Sequence, residues 1–330
     1  MSVIVTARNE ELTVGRCLDA LIKQDYPDYE VLFVDAASQD NTRLIAEELA
    51  SEHSRLKVVQ LSGNASQCRN KAIQMSKSDV IAFTDADVEV PSNWLSTLVN
   101  ALHSRPEAGG VGGPNSPLHT RNGGITKAVD LMLTTSLGSM RSAQSYDFKE
   151  RKEVKSIPCC NAAYPRRVLQ EIGGFDEDLV GCDDTDLGYR IRDTGRKLLF
   201  EPRANVIHSV KFNTLRQFSG WVFKYGRGRG YACRRKRYLF SGPALPAAAI
   251  LAGVPLLLLA MGVLRSFTPL TALFSLYLAG LIAYSVGVAV TKREFRVTII
   301  GPVVLAIEHV SYFLGFLVGI LDARPSPWSN

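Results

Sequence analysis

Three apolar stretches near the C-terminus, at about 241–264, 267–290 and 297–321, constrain this 330-residue chain more than any other feature. Each is close to the ~20 residues that a helix needs to cross a hydrocarbon layer. Three such runs in succession are unusual for a soluble core of this size, so the reading is three transmembrane helices, with buried core helices as the plain alternative. Charge divides the chain nearby. Up to Glu201 there are 23 Lys and Arg against 29 Asp and Glu, and from Pro202 onward 15 against 3. No acidic residue lies between Glu201 and Glu294. A basic, acid-free tract followed by apolar runs suits an anionic membrane surface; nucleic acid is not expected as a partner, because no base-stacking platforms are interleaved with the basic residues.

Arg234, Arg235, Lys236 and Arg237 precede the first apolar run, and Lys292, Arg293 and Arg296 separate the second from the third. Both clusters face the cytoplasm if the first two runs form a hairpin. The N-terminus, MSVIVTARNEE, enters a strand-like run without the basic and then apolar pattern of a signal peptide. The expectation is a cytoplasmic first domain on a multi-pass cell-membrane anchor. The six cysteines show no CxxC spacing, which indicates neither a zinc site nor a disulfide framework.

Before the charge boundary, short apolar runs at Ser2 to Thr6, Glu30 to Val34, Leu56 to Leu61 and Val80 to Thr84 alternate with amphipathic helical patterns. That rhythm predicts an α/β fold, a mainly parallel sheet with helices on both faces. Ligands of such sheets collect at the carboxyl ends of the strands. Here those ends carry Arg8-Asn9-Glu10-Glu11, Asp35 and Asp85-Ala86-Asp87. Further on, the sequence predicts a helix near Trp94 to Leu102, a Gly-rich turn at Gly109 to Pro114, a polar loop from Arg141 to Ser156 and two short helices between Cys159 and Glu201. From Lys211 to Tyr225 apolar residues recur at helical spacing among basic ones, the pattern of a helix lying on a membrane surface. The expected organisation is a domain over 1–210, a basic juxtamembrane segment over 211–240, the apolar helices over 241–321 and a tail over 322–330.

The sharpest local motif is Asp85-Ala86-Asp87-Val88-Glu89, reached directly from the strand VIAFT. Alternate acids past a strand end project to one side and suit a hard divalent cation, Mg²⁺ or Mn²⁺, that would bridge a diphosphate. The plain alternative is a set of solvated loop acids and a helix cap, since Pro91 and Asn93 announce a helix.

The segments TARNEE, VDAASQDNT, CRNKA, FTDADVEVPSNWL, GGFDE and DDTDLGYRIRDTG, in this order, resemble the family 2 glycosyltransferases of the GT-A fold over about the first two-thirds of the chain. The resemblance implies inverting transfer from a nucleotide-sugar donor. The basic helix and apolar tail look like the branch that builds lipid-linked or exported polysaccharides, with a lipid-linked acceptor. It further implies nucleotide contacts at Ala7, Arg8, Glu10, Asp35, Arg69 and Asp85. Metal ligation is implied at Asp85 and Asp87, with Glu89 and His208 as further candidates; a lone His is often structural. Thr6 stands where a proline is common and Ala36 where a second acid is common, which leaves the base of the donor, UDP or GDP, open. Asp184 matches the catalytic base, with Asp183 as its neighbouring alternative and N-capping of the helical pattern Leu187 to Arg192 as the structural one.

Three other features complete the reading. Gly173-Gly174-Phe175 is a tight turn placing an aromatic beside the acceptor site, or simply a turn. Gly226 to Gly230, GRGRG, faces anionic lipid or the acceptor's phosphate. Glu308 and His309 lie within the third apolar run, where ionisable groups usually have a partner or a function. Competing functions are a processive polysaccharide synthase, whose Gln-x-x-Arg-Trp motif is only loosely echoed by Arg216, Gln217 and Trp221, and a non-catalytic nucleotide-sugar-binding scaffold. The retained acids argue against the scaffold.

Overall fold

The computed structural model describes residues 1–117, 124–139, 149–179, 181–208, 214–236, 253, 256–263 and 265–321. These form two compact units, one containing 1–117 and 149–208, the other 124–139 and 214–321. Most of the first expected apolar helix, the tail over 322–330 and the expected boundary after residue 210 lie outside the described residues.

The first unit is built on an alternation of strands and helices. Its elements are β1 (Ser2–Ala7), α1 (Val14–Ile22), β2 (Glu30–Asp35), α2 (Thr42–Glu52), β3 (Leu56–Gln60), α3 (Ala65–Met75), β4 (Val80–Asp85), β5 (Val88–Glu89) and α4 (Trp94–His103). There follow β6 (Ala108–Gly112), β7 (Asn115–Pro117), β8 (Lys152–Val154), β9 (Asn161–Pro165), α7 (Arg166–Glu171), α8 (Asp183–Asp193), β10 (Lys197–Phe200) and β11 (Val206–His208). Eight strands make one sheet in the order β3-β2-β1-β4-β9-β6-β10-β8, and β5-β11-β7 make a small second sheet. Within the large sheet β9 and β8 run antiparallel to their neighbours, while β3, β2, β1 and β4 are mutually parallel.

Period-2 alternation sorts the core onto two faces. Val3, Val5 and Phe33 point to the face covered by α1, α2 and α4, where Leu18, Ala46, Trp94 and Leu98 pack. Ile4, Ile81 and Phe83 point to the other face, against Cys68 and Ala72 of α3, Leu169 of α7 and Leu187 of α8. The expected α/β sheet with helices on both faces is what the chain adopts.

Two expectations change. The Gly-rich run is not a turn from its start: Gly109 to Gly112 lie in β6, a strand in the middle of the sheet. Its glycines are clearance, since a Cβ on Gly110 would stand 2.5 Å from the Tyr164 ring and one on Gly112 2.5 Å from the Asn161 carbonyl. The polar stretch ending at Ser156 is not all loop, because Lys152–Val154 forms the edge strand β8 against β10. Its polar residues suit an edge.

The second unit is helical: α5 (Gly124–Leu133), α6 (Ser136–Ser139), α9 (Leu215–Arg235), α10 (Thr268–Lys292) and α11 (Val297–Leu321), with a further helical stretch at 256–263. Both α10 and α11 are long and apolar enough to cross a membrane. Lys127 of α5 pairs with Glu294 ahead of α11, and the Tyr284 hydroxyl of α10 lies 3.1 Å from Ser136 Oγ of α6.

The basic helix is longer than the sequence pattern suggested. It continues through GRGRG to Arg235, because these glycines are a packing surface. Gly226 and Gly230 lie against the Tyr312 and Phe316 carbonyls of α11, and Gly315 and Gly319 lie against the Phe223 and Arg227 carbonyls of α9. A Cβ at any of these four would fall 2.1–2.2 Å from the facing carbonyl oxygen. The Ser219 and Ser311 hydroxyls meet at 2.9 Å, and the pairing advances in the same direction along both helices, so α9 and α11 run parallel. Two facing small-xxx-small stripes are how helices approach closely without apolar side chains between them. The glycines of GRGRG are thus part of a helix interface.

Candidate functional site

The large sheet reverses its strand order beside β1: β2 and β3 extend on one side, and β4 joins on the other. A crevice outside the carboxyl ends of the strands at such a switch point is where ligands bind. Register levels the ends, with Ala7 opposite Asp35 and Thr6 opposite Asp85.

The loops after β1 and β2 are tied together. Asn9 N donates to Ser38 Oγ at 3.0 Å, Gln39 N to Asn9 Oδ1 at 2.8 Å and Glu10 N to Thr42 Oγ1 at 2.7 Å. Asp35 is fully buried, and both its carboxylate oxygens accept from Ser38 N at 3.3 Å. Ala7 O accepts from Ala36 N at 2.8 Å, and the Glu10 carboxylate accepts from Thr13 Oγ1 at 3.2 Å. Asn9 and Ala37 have φ of 58° and 55°, left-handed backbone that non-glycine residues hold only when their surroundings enforce it. Beside these loops is an open cleft of about 310 Å³ lined by Arg8, Ala36, Ala37, Ser62, Gly63, Asn64 and Gln67. Of the expected nucleotide contacts Arg8 lines this cleft, while Ala7 and Asp35 end the adjacent strands β1 and β2 and Glu10 lies in the loop after β1.

At the end of β4 the acids meet a histidine from far along the chain. β5 follows Asp87 immediately and pairs antiparallel with β11, His208 opposite Val88. One ligand atom from each of Asp85, Asp87 and His208 lies within 4.8 Å of the others, and His208 Nε2 is 3.2 Å from Asp87 Oδ1. Two carboxylates and an imidazole suit Mg²⁺, Mn²⁺ or a neighbouring first-row dication. Burial disfavours the imidazolium at His208, but hydrogen bonds to Asp87 and Cys160 outweigh it and hold the group well above the usual histidine range. Glu89 is not brought into this cluster. It faces Arg16 of α1 at 3.3 Å.

The acids of DDTD separate into different roles. Asp183 Oδ2 accepts from Arg69 Nη1 at 2.8 Å and Ser66 Oγ at 3.3 Å, and Asp186 is bound by Arg190 at 2.7 Å. Among the described residues, Asp184 Oδ1 accepts from its neighbour Thr185, at 2.6 Å from N and 3.2 Å from Oγ1. Burial first, and then the Asp183 charge, push the Asp184 carboxyl up to about 6. None of these acids is the N-cap: α8 begins at Asp183, after Cys182 with φ of 63° and no side-chain cap bond.

Arg69 joins the two poles. Its other nitrogen, Nη2, is 3.3 Å from Asp85 Oδ1, so one buried guanidinium bridges the acids at the end of β4 and those opening α8. Phe175 lies beneath it, with the Arg69 Cζ 5.5 Å from the ring centroid. This ring is buried and sits edge-on to Phe83, so Phe175 supports Arg69 from within the core instead of lining an acceptor surface. Gly173 and Gly174, with φ of 77° and 72°, end α7, where Gly174 N donates back to Leu169 O at 2.8 Å.

Sequence reading missed Asn161 and Trp94, both buried behind the cluster and joined at 2.8 Å from Nε1 to Oδ1. A lone Asn at a strand start carries no motif.

The description "Glycosyl transferase family 2" belongs to the family model that matches residues 2–173. Among curated relatives, the Haloferax volcanii glycosyltransferase AglE is 28% identical over 205 residues, 61% of this chain and 64% of that one. The beta-monoglucosyldiacylglycerol synthase of Trichormus variabilis is 30% identical over 198 residues, 58% of this chain and 41% of that one. The chain thus covers less than two-thirds of either relative's length. A mannosyltransferase from Pyrobaculum calidifontis, solved in complex with GDP-Man and Mn²⁺, has a similar fold with a TM-score of 0.62 at 20% identity, covering 98% of this chain and 87% of that one.

Proposed function

We propose that this chain, which belongs to glycosyl transferase family 2, moves a sugar with inversion from a UDP- or GDP-sugar to a lipid-linked acceptor at a membrane. The observation that carries the reading is the strand-end crevice in which Arg69 bridges Asp85, of the Asp85-Asp87-His208 cluster, and Asp183, the neighbour of Asp184.

In this reading Ala7, Arg8, Glu10 and Asp35 hold the nucleoside at the rim of the cleft. Asp85, Asp87 and His208 would hold Mg²⁺ or Mn²⁺, which supplies neutralisation of charge on the departing diphosphate. Glu89 is left out of the ligand set because it is paired with Arg16. Asp184 takes the proton from the acceptor hydroxyl as that oxygen forms its bond to the anomeric carbon, and the bond to the nucleoside diphosphate breaks on the opposite side. A carboxyl raised to about 6 is a better base than an exposed one yet is still ionised at neutral pH. Asp183 is already committed to Arg69, which favours Asp184 for the task. The apolar helices α10 and α11 anchor the protein; the two basic clusters lie at opposite ends of α11, Arg234 beside Ile320 and Arg296 just ahead of Val297, so they do not both mark the cytoplasmic side. A lipid-linked acceptor fits such an anchor, and a relative named as a glucosyldiacylglycerol synthase supports it.

The test is Asp184→Asn in membranes, with a panel of UDP- and GDP-sugars and polyprenyl-phosphate or lipid-linked acceptors. Transfer should fall by about 10²–10⁴-fold while nucleotide binding persists. An active Asp184→Asn enzyme sinks the assignment.

A further inference from the structure

We infer that the buried amide of Asn161, oriented by the Trp94 indole, is a positioning group that sets where His208 stands relative to Asp85 and Asp87. The inference rests on reading those three residues as the metal site.

His208 is presented by weak local structure. It ends the three-residue strand β11, in a small sheet whose other members are the two-residue β5 and the three-residue β7. Strands this short do not hold a position by themselves. Asn161 begins β9, in the middle of the large sheet, and in register faces Thr84, the residue before Asp85. Its side chain is therefore fixed beside the strand that delivers the two acids.

From there it reaches both partners of the small sheet. Asn161 Nδ2 donates to Pro114 O at 3.0 Å, just before β7, and to Ala204 O at 2.7 Å, just before β11. Pro114 O also accepts from Val206 N at 3.0 Å, so the amide clamps the first rung between β7 and β11. Asn161 Oδ1 accepts from Trp94 Nε1 at 2.8 Å, which fixes the sense of the amide so that both its hydrogens face the two carbonyls. Asn161 and Trp94 are wholly buried, so no water substitutes for either bond. The close approach is prepared by glycine, since a Cβ on Gly113 would lie 2.1 Å from Ala204 O. One side chain thus spans from the strand carrying the acids to the strand carrying the imidazole. Metal affinity responds strongly to the groups that orient its ligands.

The experiment uses the full chain in detergent, without donor or acceptor, and titrates Mn²⁺ while electron paramagnetic resonance reads the free ion; thermal melting runs in parallel. His208→Ala should weaken Mn²⁺ binding clearly. Asn161→Ala should weaken it about 10-fold. Trp94→Phe, which keeps most of the ring packing and removes the N–H, should weaken it a few-fold and carries the test if Asn161→Ala does not fold. In a His208→Ala background Asn161→Ala should cost no further affinity. Asn161→Ala or Trp94→Phe that lowers the melting temperature yet binds Mn²⁺ like the parent overturns the positioning role, as does an equal additional loss in the His208→Ala background. If His208→Ala itself leaves Mn²⁺ affinity unchanged, the metal-site reading beneath the inference fails.

Discussion

The two units place apolar surface in opposite ways. In the sheet-containing unit Phe33, Phe83 and Trp94 are at most 1% exposed, and several buried charges are paired: Arg69 with Asp183 and Asp85, Asp186 with Arg190, Glu201 with Arg151 and Arg203. In the helical unit Leu276, Phe274 and Ile299 stand 72%, 63% and 79% exposed, while the tightest packing is made by glycines. A unit surrounded by water gains stability by hiding hydrocarbon. Lipid removes that incentive, and helices then associate through close backbone contact. The contrast is the one that the proposed membrane anchor requires, and it can be broken experimentally.

The largest expected effect is on stability in the first unit. Phe33→Ala should cost about 3–5 kcal/mol, read by chemical denaturation of the sheet-containing unit. Next, Asp87→Asn should lower transfer by roughly 10²–10³-fold, since it removes charge from the proposed metal site. Gly315→Leu tests the other kind of packing. Driving a side chain between α9 and α11 should cost about 1–3 kcal/mol, seen as a lower melting temperature in detergent, and retention of the parent melting temperature removes the glycine interface from the argument.

A pH dependence follows at smaller amplitude. The Asp184 carboxyl ionises near 6 in the folded chain, so transfer should rise about tenfold from pH 5 to 7, and Asp184→Asn should remove that limb along with the activity. The sign for stability is opposite to that of a salt-bridged acid. A raised carboxyl disfavours its charged form in the folded state, so the Asp184 contribution falls as pH climbs from the unfolded value towards 6. The smallest effect sharpens the comparison most. Leu276→Ser, at a position 72% exposed, should change detergent stability by no more than about 0.5 kcal/mol, although the same exchange in a sheet core is severe.

Much of the catalytic unit was legible along the chain. β1, β2, β3 and β4 fall where the apolar runs predicted them, because buried parallel strands need continuous hydrocarbon and cannot disguise it. β6 escaped because its strand character depends on Tyr164 and Ile157 lying over it, and glycine alone signals a turn as readily. The helix through GRGRG is hidden in the sequence for a related reason: glycine lowers helix propensity locally, and the matching stripe on α11, more than eighty residues on, turns its glycines into an interface.

The sequence by itself determined the α/β rhythm, the strand-end acids and the division between an acidic unit and a basic, apolar one, since all three depend on neighbours along the chain. Tertiary structure decided which candidates meet. His208 joins Asp85 and Asp87 through the β5–β11 pairing, Glu89 turns to Arg16, Arg69 occupies Asp183 and leaves Asp184 to Thr185, and Phe175 goes under Arg69. These outcomes depend on strand pairing and on the cost of burying unpaired charge, and both are settled between residues far apart in sequence.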